Sequence, residues 1–379
     1  MAEGFRERLD AVSADTLTPM IRSDRNRPGL EVTEWSHRPI GTGMTDVNSY
    51  GYGTFRFTGR ARDGNEDLGW TLILKALGGR GIDAEMLDPE NWSYWKREIL
   101  AYRSGMLTDL PDGLGTPRCY GVIEQPGDEF WIWLEDVRDD IEGSWPLERF
   151  ALAARHLGRF NGAYLTGHPI PNAAWLSRGR VRNWMKIAEP LLRDLPAMSK
   201  RPRVGTWLSE ARVERTLALW RDRRPLLGAL ERLPRALCHH DAFRRNLLTR
   251  DRPGEEPETV AIDWQIVGTG AIGEELAPLV GVSLQFFEFD IDRAADLDKA
   301  VFGAYLQGIE DAGWSGDPRD VRLGFSVACA LFLGVGGVLW LNPLLDEASR
   351  AGVERVMDRS IEEVLDRFGL LQDYVLARG

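Results

Sequence analysis

The sequence predicts an α+β protein with two lobes: a small, antiparallel β-rich N-terminal lobe with one helix, and a large, mainly helical C-terminal lobe. Two observations predict this fold. At 379 residues the chain exceeds the size at which a single hydrophobic core usually stops growing. Strand-like alternation dominates the first 137 residues, whereas helical spacing dominates the rest. We therefore expect lobes of residues 1–137 and 138–379.

The N-terminal lobe contains five segments with the composition of β-strands, separated by clusters of turn-forming residues. In one of them, "WTLILKAL" (70–77), alternation places Thr71, Ile73 and Lys75 on one face of the strand. The five segments are 31–38, 53–60, 69–77, 117–124 and 129–137.

The helix of this lobe is expected within "LDPENWSYWKREILAYRSGML" (87–107). Asp88 suits the N-cap position and Pro89 the first helical position, where a missing N–H costs nothing. Apolar residues then recur at steps of three and four, which gives one apolar stripe. Glu98 borders that stripe, so we expect its carboxylate on the flank that faces the sheet.

Helical patterns fill most of the C-terminal lobe. Short strand signals interrupt them at 236–239 and at 246–249, the latter pairing with 258–263. Residues 324–341 carry no charge over eighteen positions, the lower edge of membrane-spanning length. We interpret them as a buried helix broken around its glycines, with membrane insertion as the alternative. The helical segments are 146–166, parts of 178–230, 273–288, 291–312, 318–341 and 348–370.

Composition restricts the partners and the compartment. A net charge of −11 argues against nucleic acid and against anionic membranes, because both are polyanions. Three cysteines far apart in sequence suggest neither a disulfide framework nor a zinc site. The first twenty residues lack the apolar run of a signal peptide. We expect a cytoplasmic protein, monomeric or homodimeric, without a nucleic-acid or membrane partner.

Three oxygen-bearing side chains are expected to converge at the ends of short strands. In "LCHHDAFRRNLL" (237–248), Asp241 follows one apolar strand and Asn246 opens another, and "TVAIDW" (259–264) delivers Asp263 at the end of a third. Pairing of the last two strands as a hairpin brings Asn246 and Asp263 to the same end. Such oxygens suit Mg²⁺, which completes its octahedron with water and phosphate oxygens. The pattern predicts a magnesium and phosphate site, with Asn246 and Asp263 as the metal ligands.

Two N-terminal residues complete the groups that phosphoryl transfer needs. Lys75 would hold the phosphates, Glu98 would orient Lys75, and Asp241 would accept the proton of an attacking hydroxyl. Simpler structural explanations remain open. Lys75 fits an edge-strand lysine whose head reaches water, and Asp241 fits a turn cap. Asp263 fits such an explanation less well, because an unpaired carboxylate at the end of a buried strand is costly.

These residues resemble the motifs of the aminoglycoside phosphotransferase and choline kinase-like family, which has the protein kinase-like fold. In that family an H-G-D-x-x-x-x-N segment precedes an I-D strand end and then a helix with an acidic residue. This chain offers "HHDAFRRN" (239–246), "ID" (262–263) and "GEELAPLV" (273–280). The resemblance covers most of residues 30–345. It implies ATP and Mg²⁺ as cofactors.

The resemblance also implies where the nucleotide binds. The adenine would lie against the backbone of the connector between the lobes, which maps to Leu134, Glu135, Asp136 and Val137. A glycine loop would cover the phosphates. Here "GTGMTDVNSYGYGTF" (41–55) includes Gly41 and Gly43 but does not spell G-x-G-x-x-G, so the loop departs from the usual pattern.

Two further departures concern the segment around Asp241. His240 replaces the glycine of H-G-D, which puts a bulkier residue beside the base. Phe243 stands where many protein kinases carry a lysine that touches the transferred phosphate. Arg244 or Arg245 could supply that charge, although a structural role is favoured for both.

The two adjacent histidines could suggest a transition-metal site instead. Consecutive strand residues point to opposite faces, however, so His239 and His240 cannot easily bind one ion. A structural His239 bonded to the backbone of the loop around Asp241 is favoured.

The leading interpretation is an ATP-dependent phosphotransferase that acts on a hydroxyl of a small molecule. Candidate acceptors are an aminoglycoside-like antibiotic, an amino sugar or an amino alcohol. Acidic residues of the C-terminal lobe could attract a cationic acceptor, although solvated helix faces explain them almost as well. They are Glu274, Glu275, Glu288 and Asp290. The alternative is a non-catalytic nucleotide-binding pseudokinase module.

Overall fold

The computed structural model describes residues 3–40, 51–79, 82–108, 110–111, 113–139, 143–205, 207–252, 254–341 and 347–377. The N-terminal strands are β1 (Glu31–Ile40), β2 (Gly51–Asp63), β3 (Glu66–Gly78), β4 (Leu114–Gly115), β5 (Cys119–Gln125) and β6 (Glu129–Glu135). Five of them form an antiparallel sheet in the order β1-β2-β3-β6-β5. The five strand segments expected from the sequence are confirmed.

Strand β3 has two different faces, as its alternation predicts. Leu72, Leu74 and Ala76 are fully buried in an apolar cluster. Two N-terminal helices that the sequence analysis did not predict, α1 (Glu3–Asp10) and α2 (Ala14–Arg25), also contribute buried residues to this cluster. The opposite face of β3 carries Lys75 and is turned towards the helical part of the protein.

Helix α3 (Arg97–Arg103) begins eight residues later than expected, so Asp88 and Pro89 do not start it. The cause is the buried guanidinium of Arg97, which donates to the carbonyls of Asn91 and Trp92, both at 2.5 Å, and to that of Pro89 at 3.3 Å. These carbonyls therefore bind a side chain instead of the amides four residues further on. Glu98, in the first turn of α3, is 1% exposed.

The C-terminal part is mainly helical. Its expected helix over 273–288 is reduced to a π-helical turn, Pro278–Val282, followed by a single short α-helical turn. The helices are α4 (Leu147–Leu165), α5 (Arg180–Met198), α6 (Pro202–Gly205), α7 (Glu210–Arg232), α8 (Ser283–Gln285), α9 (Ala294–Asp311), α10 (Pro318–Cys329), α11 (Glu347–Met357) and α12 (Ile361–Leu376).

The close packing of α4 against α9 needs glycine, because a Cβ on Gly158 would lie 2.4 Å from the Tyr305 carbonyl oxygen.

Two small sheets lie where the helical part meets the N-terminal sheet. Their strands are β7 (Ser177–Arg178), β8 (Arg235–Cys238), β9 (Leu247–Arg250), β10 (Glu258–Ala261) and β11 (Gly268–Ala271). One sheet has the order β7-β11-β8 and the other β4-β10-β9. The expected hairpin is present as the antiparallel pair of β9 and β10. The change from strands to helices falls between β6 and α4, and the boundary at residue 137 stays a prediction.

The uncharged segment 324–341 begins within α10 and does not continue as a regular α-helix. It passes into a π-helical stretch, Ala330–Val335, and then a 3-10 stretch, Gly336–Leu341. Pro318–Leu341 is long and apolar enough to cross a membrane, but 67% of its most apolar window is buried inside the protein. A Cβ on Gly336 would lie 2.3 Å from the indole nitrogen of Trp184, so the break allows a tryptophan to pack closely.

Candidate active site

A cavity of about 1590 Å³ lies between the N-terminal sheet and the helical part. Its walls include the outward face of β3, the segment after β6, the loop that follows β8 and the cavity-facing side of α5. Pockets for one small ligand typically measure about 300–1,000 Å³. The cavity is therefore large enough for two ligands side by side.

Lys75 joins the two parts of the protein inside this cavity. Its Nζ lies 2.6 Å from Glu98 Oε2 and 2.7 Å from Asp263 Oδ1. Burial acts to lower the pKa of Lys75, but the carboxylates of Asp263 and Glu98 outweigh burial and raise it. The side chain is therefore a fixed positive charge at physiological pH. The structure brings together Lys75, expected to hold the phosphates, Glu98, expected to orient it, and Asp263, expected to bind the metal.

The loop between β8 and β9 is held by its own histidine and by one glutamate. Glu275 accepts hydrogen bonds from the backbone amides of His239 at 2.8 Å and His240 at 2.7 Å. The His239 ring lies 2.9 Å from the Ile262 carbonyl through Nε2, and its Nδ1 accepts from the Asp241 amide at 3.2 Å. Burial lowers the pKa of His239 to about 4, so the ring is neutral with its proton on Nε2. The structural role expected for His239 matches these contacts.

Asp241 is the third residue of this loop and lines the cavity. Asn246 Nδ2 donates to Asp241 Oδ2 at 2.9 Å and to the Asp241 carbonyl at 3.0 Å. Arg180 Nη2 lies 3.9 Å from Asp241 Oδ1. Burial raises the pKa of Asp241 to about 6, although the charge of Arg180 opposes the rise. A carboxyl with such a pKa is ionised at pH 7 and still basic enough to take a proton.

The oxygens next to Asp241 suit a hard cation. Asn246 uses its amide nitrogen for both bonds to Asp241, which leaves Oδ1 for a metal. Asp263 uses Oδ1 for Lys75, which leaves Oδ2. One amide oxygen and one carboxylate oxygen fit Mg²⁺, which takes few protein ligands and relies on phosphate and water for the rest. Among the residues that the structure describes, no group of three or more His, Cys, Asp or Glu side chains could hold a metal ion.

The connector after β6 lines the same cavity. Leu134, Glu135, Asp136 and Val137 all contribute to its wall. The side chains of Glu135 and Asp136 are occupied by arginines, at 2.8 Å from Arg250 and 2.9 Å from Arg56. Within the described ranges, no residue bonds the backbone groups of Asp136 or Val137, which are thus available to a planar base. Gly41 and Gly43 lie outside the described residues.

Several polar residues near the site have structural tasks. His240 has φ of 68° and lies away from the cavity, its ring close to Gly270, so it does not narrow an acceptor site. Arg244 pairs with Asp139 at 2.6 Å and lies over the Trp145 ring. Arg245 pairs with Glu288 at 2.6 Å.

The acidic residues expected to attract a cationic acceptor are also occupied. Glu275 binds two amides of the loop, and Glu274 accepts from the Ala271 amide at 2.9 Å. Glu288 is neutralised by Arg245, and Asp290 accepts from the Asp292 amide at the start of a 3-10 turn. None of the four is among the residues that line the cavity, and their attraction of a cationic acceptor stays a prediction.

Arg180 is the residue that the sequence analysis missed. It opens α5, lines the cavity, and is 5% exposed. Its Nε has no hydrogen-bond partner among the described residues, and its guanidinium lies over the Phe332 ring at 4.3 Å. No motif marks this position, since it lies about sixty residues before Asp241 in an arginine-rich chain.

Comparison with known proteins defines first the fold and then the family. The amicoumacin kinase hAmiN, solved with AMP-PNP, Ca²⁺ and Ami, is similar at a TM-score of 0.50 and 12% identity, covering 97% of this chain and 96% of that chain. APH(2")-IIia, solved with GDP and kanamycin, is similar at a TM-score of 0.50 and 12% identity, covering 92% and 97%. The chain has the protein kinase-like fold expected from its sequence.

A family model matches a little under half of the chain. Residues 144–316, which contain Asp241 and Asp263, match the model of the phosphotransferase enzyme family. The resemblance inferred from the motifs is confirmed by this match. No curated protein sequence matches the chain significantly.

Proposed function

We propose that the protein is an ATP-dependent phosphotransferase that transfers the γ-phosphate to a hydroxyl of a small molecule. The observation that carries the proposal is the contact of Lys75 with Glu98 and Asp263, in a cavity that also exposes Asp241. Lys75 and Asp263 are 188 residues apart in sequence, so only the fold brings them together. Phosphoryl transfer needs a cation for the phosphates, metal-binding oxygens and a base, and the cavity offers all three.

The residues divide the reaction between them. Asp241 accepts the proton of the acceptor hydroxyl as its oxygen bonds to the γ-phosphorus and the bond to the bridging oxygen of ADP breaks. Lys75 binds the phosphates of the nucleotide, and Glu98 holds the lysine in place. Asn246 and Asp263 are the proposed ligands of Mg²⁺, which neutralises phosphate charge when bound.

Arg180 supplies the positive charge for which the sequence offered no clear candidate. Arg244 and Arg245 are paired with Asp139 and Glu288, whereas Arg180 faces the cavity beside Asp241. A guanidinium beside the base can bind the oxygens of the phosphoryl group in flight. We propose this role for Arg180 in place of the lysine that Phe243 replaces.

The remaining assignments follow the same cavity. The backbone of Leu134, Glu135, Asp136 and Val137 is proposed to bind the adenine. The role of Gly41 and Gly43 in covering the phosphates stays a prediction from the sequence, since both lie outside the described residues. Charge and composition support a cytoplasmic protein, monomeric or homodimeric, with a small-molecule acceptor and no nucleic-acid or membrane partner. The candidate acceptors remain an aminoglycoside-like antibiotic, an amino sugar or an amino alcohol.

The proposal is tested by separating nucleotide binding from turnover. Mg²⁺·ATP should raise the melting temperature of the protein, as any ligand of the native state does. Asp241→Asn should keep this rise but lower acceptor-dependent ADP release by about 10²–10⁴, the usual contribution of a general base. Asp296→Asn, an exposed carboxylate of α9 paired with Arg293, is the matched control and should leave both unchanged.

Two results would contradict the proposal. Full turnover by the Asp241→Asn variant would remove Asp241 as the base. Stabilisation by Mg²⁺·ATP without ADP release, across a broad panel of alcohols, would favour a nucleotide-binding pseudokinase instead.

A further inference from the structure

The part of the cavity beyond Asp241 is lined mainly by aromatic rings. We infer that the acceptor is an alcohol without positive charge whose body is apolar and contains a ring system. This inference rests on the proposed function, because it concerns the molecule that Asp241 deprotonates. It departs from the amino-bearing acceptors expected from the sequence.

One aromatic wall leads directly away from the base. Arg180, next to Asp241, lies over Phe332 at 4.3 Å, and Phe332 lies 5.1 Å from Trp184 between ring centroids. Trp184 in turn lies 5.3 Å from Trp92. All of these rings line the cavity. They form a continuous apolar surface that begins at Phe332, and only Arg180 separates Phe332 from the proposed base.

The same face of α5 carries a further apolar side chain into the cavity. Ile187 follows Arg180 and Trp184 at helical spacing and is 38% exposed. A large aliphatic side chain exposed inside a cavity gains free energy when an apolar ligand covers it.

A second group of rings lines the cavity. Phe243, two residues after Asp241, lies 5.4 Å from Phe286, and Arg245 lies over Phe286 at 4.8 Å. Trp340 lies 4.6 Å from Phe368. These side chains also line the cavity, so they add to the aromatic surface available to the acceptor.

The carboxylates of the cavity are largely neutralised. Glu98 and Asp263 bind Lys75, and Asp139 binds Arg244. Glu135 binds Arg250, and Asp136 binds Arg56. Beyond Asp241, the described lining offers only Asp83 and Glu85, which are exposed on the N-terminal side. An acceptor with several ammonium groups would lose water without gaining buried counter-charges, which is unfavourable.

A single quaternary ammonium is also disfavoured, although aromatic rings can bind such a cation. The guanidinium groups of Arg180 and Arg245 already lie over Phe332 and Phe286. A further cation on these rings would meet like charge at close range. The rings are therefore suited to stacking and apolar contact with an uncharged ligand.

The test compares two sets of alcohols of similar size in acceptor-dependent ADP release. One set contains ring-bearing alcohols without amino groups, and the other contains alcohols with two or more amino groups, including kanamycin. We expect the best acceptor of the first set to exceed every member of the second by at least about tenfold in kcat/KM. The inference is overturned if an amino-bearing acceptor is best, or if no ring-bearing alcohol is a substrate while Mg²⁺·ATP still binds.

A variant pair locates the contact. Trp184→Ala should raise KM for the ring-bearing acceptor about tenfold and leave KM for Mg²⁺·ATP unchanged, because an aromatic contact is lost. Trp220→Ala, which removes a tryptophan outside the cavity, is the matched control and should change neither. Trp184→Phe should restore most of the affinity, which separates lost contact from misfolding. An unchanged acceptor KM in a folded Trp184→Ala variant overturns the inference. Failure of the proposed function would give a different result: no binding of Mg²⁺·ATP, or no ADP release with either set of alcohols.

Discussion

The two walls of the cavity differ in chemistry. The wall formed by the sheet and α3 carries charged pairs, with Lys75 held by Glu98 and Arg56 held by Asp136. The wall formed by the helical part carries rings, with Trp184 and Phe332 in contact. Charged groups fixed in a partly buried site suit phosphates, whereas rings suit an apolar body. Under the proposed function, the nucleotide and the acceptor would therefore be recognised by different forces.

The largest effect should come from breaking the charged wall. Lys75→Met should lower kcat/KM for Mg²⁺·ATP by about 10²–10³, because a fixed charge at the phosphates is lost. Affinity for the acceptor should stay unchanged, since the aromatic wall is intact. Steady-state kinetics with each substrate varied in turn would check this, with the exposed Lys299→Met of α9 as control. An equal loss for both substrates would show that the two walls are not independent.

A smaller effect is expected where the two walls meet. Glu275 holds the loop that carries Asp241 through two backbone amides. Glu275→Gln keeps one acceptor oxygen and leaves one buried amide unpaired, which should cost about 1–3 kcal/mol of unfolding free energy. Chemical denaturation would measure it, with the exposed Glu310→Gln as control. Because the loop carries Asp241, kcat should fall by a larger factor than the KM of either substrate changes. A change in KM with kcat unaltered would contradict this prediction.

The smallest effect concerns the pH dependence. The pKa of Asp241 is about 6 because burial raises it, so kcat/KM should rise with pH and level off above this value as the carboxylate becomes ionised. Arg180 opposes that rise in pKa. Arg180→Gln should therefore move the acidic limb of the kcat/KM profile to higher pH, by about one unit. A limb that moves to lower pH, or stays in place, would show that Arg180 does not act on Asp241.

Much of the site could be predicted from sequence because its residues fall in short segments with strict local geometry. Strand alternation placed Lys75 towards the cavity, and the hairpin brought Asn246 near Asp263. The start of α3 could not be predicted, because it depends on where the Arg97 side chain is buried. Arg180 escaped for a similar reason: its contact with Asp241 exists only after β8 and α5 have packed.

The N-terminal helices were missed although a signal was present. Phe5, Leu9 and Val12 follow helical spacing, as do Leu17, Met20 and Ile21, and all six are buried against the sheet. Their short, charge-rich surroundings gave no clear helix boundaries, and no motif pointed to them. Helices that only cover a sheet are thus harder to predict from sequence than segments that carry a functional motif.

The break in the uncharged segment 324–341 explains why so apolar a stretch occurs in this chain. One side of it packs into the protein interior, while Phe332, Leu333, Gly336 and Gly337 face the ligand cavity. Because 67% of its most apolar window is buried inside the protein, the segment has few positions at which a charged residue could reach water. A side chain larger than hydrogen at position 336 would displace the Trp184 indole and so change the shape of the cavity.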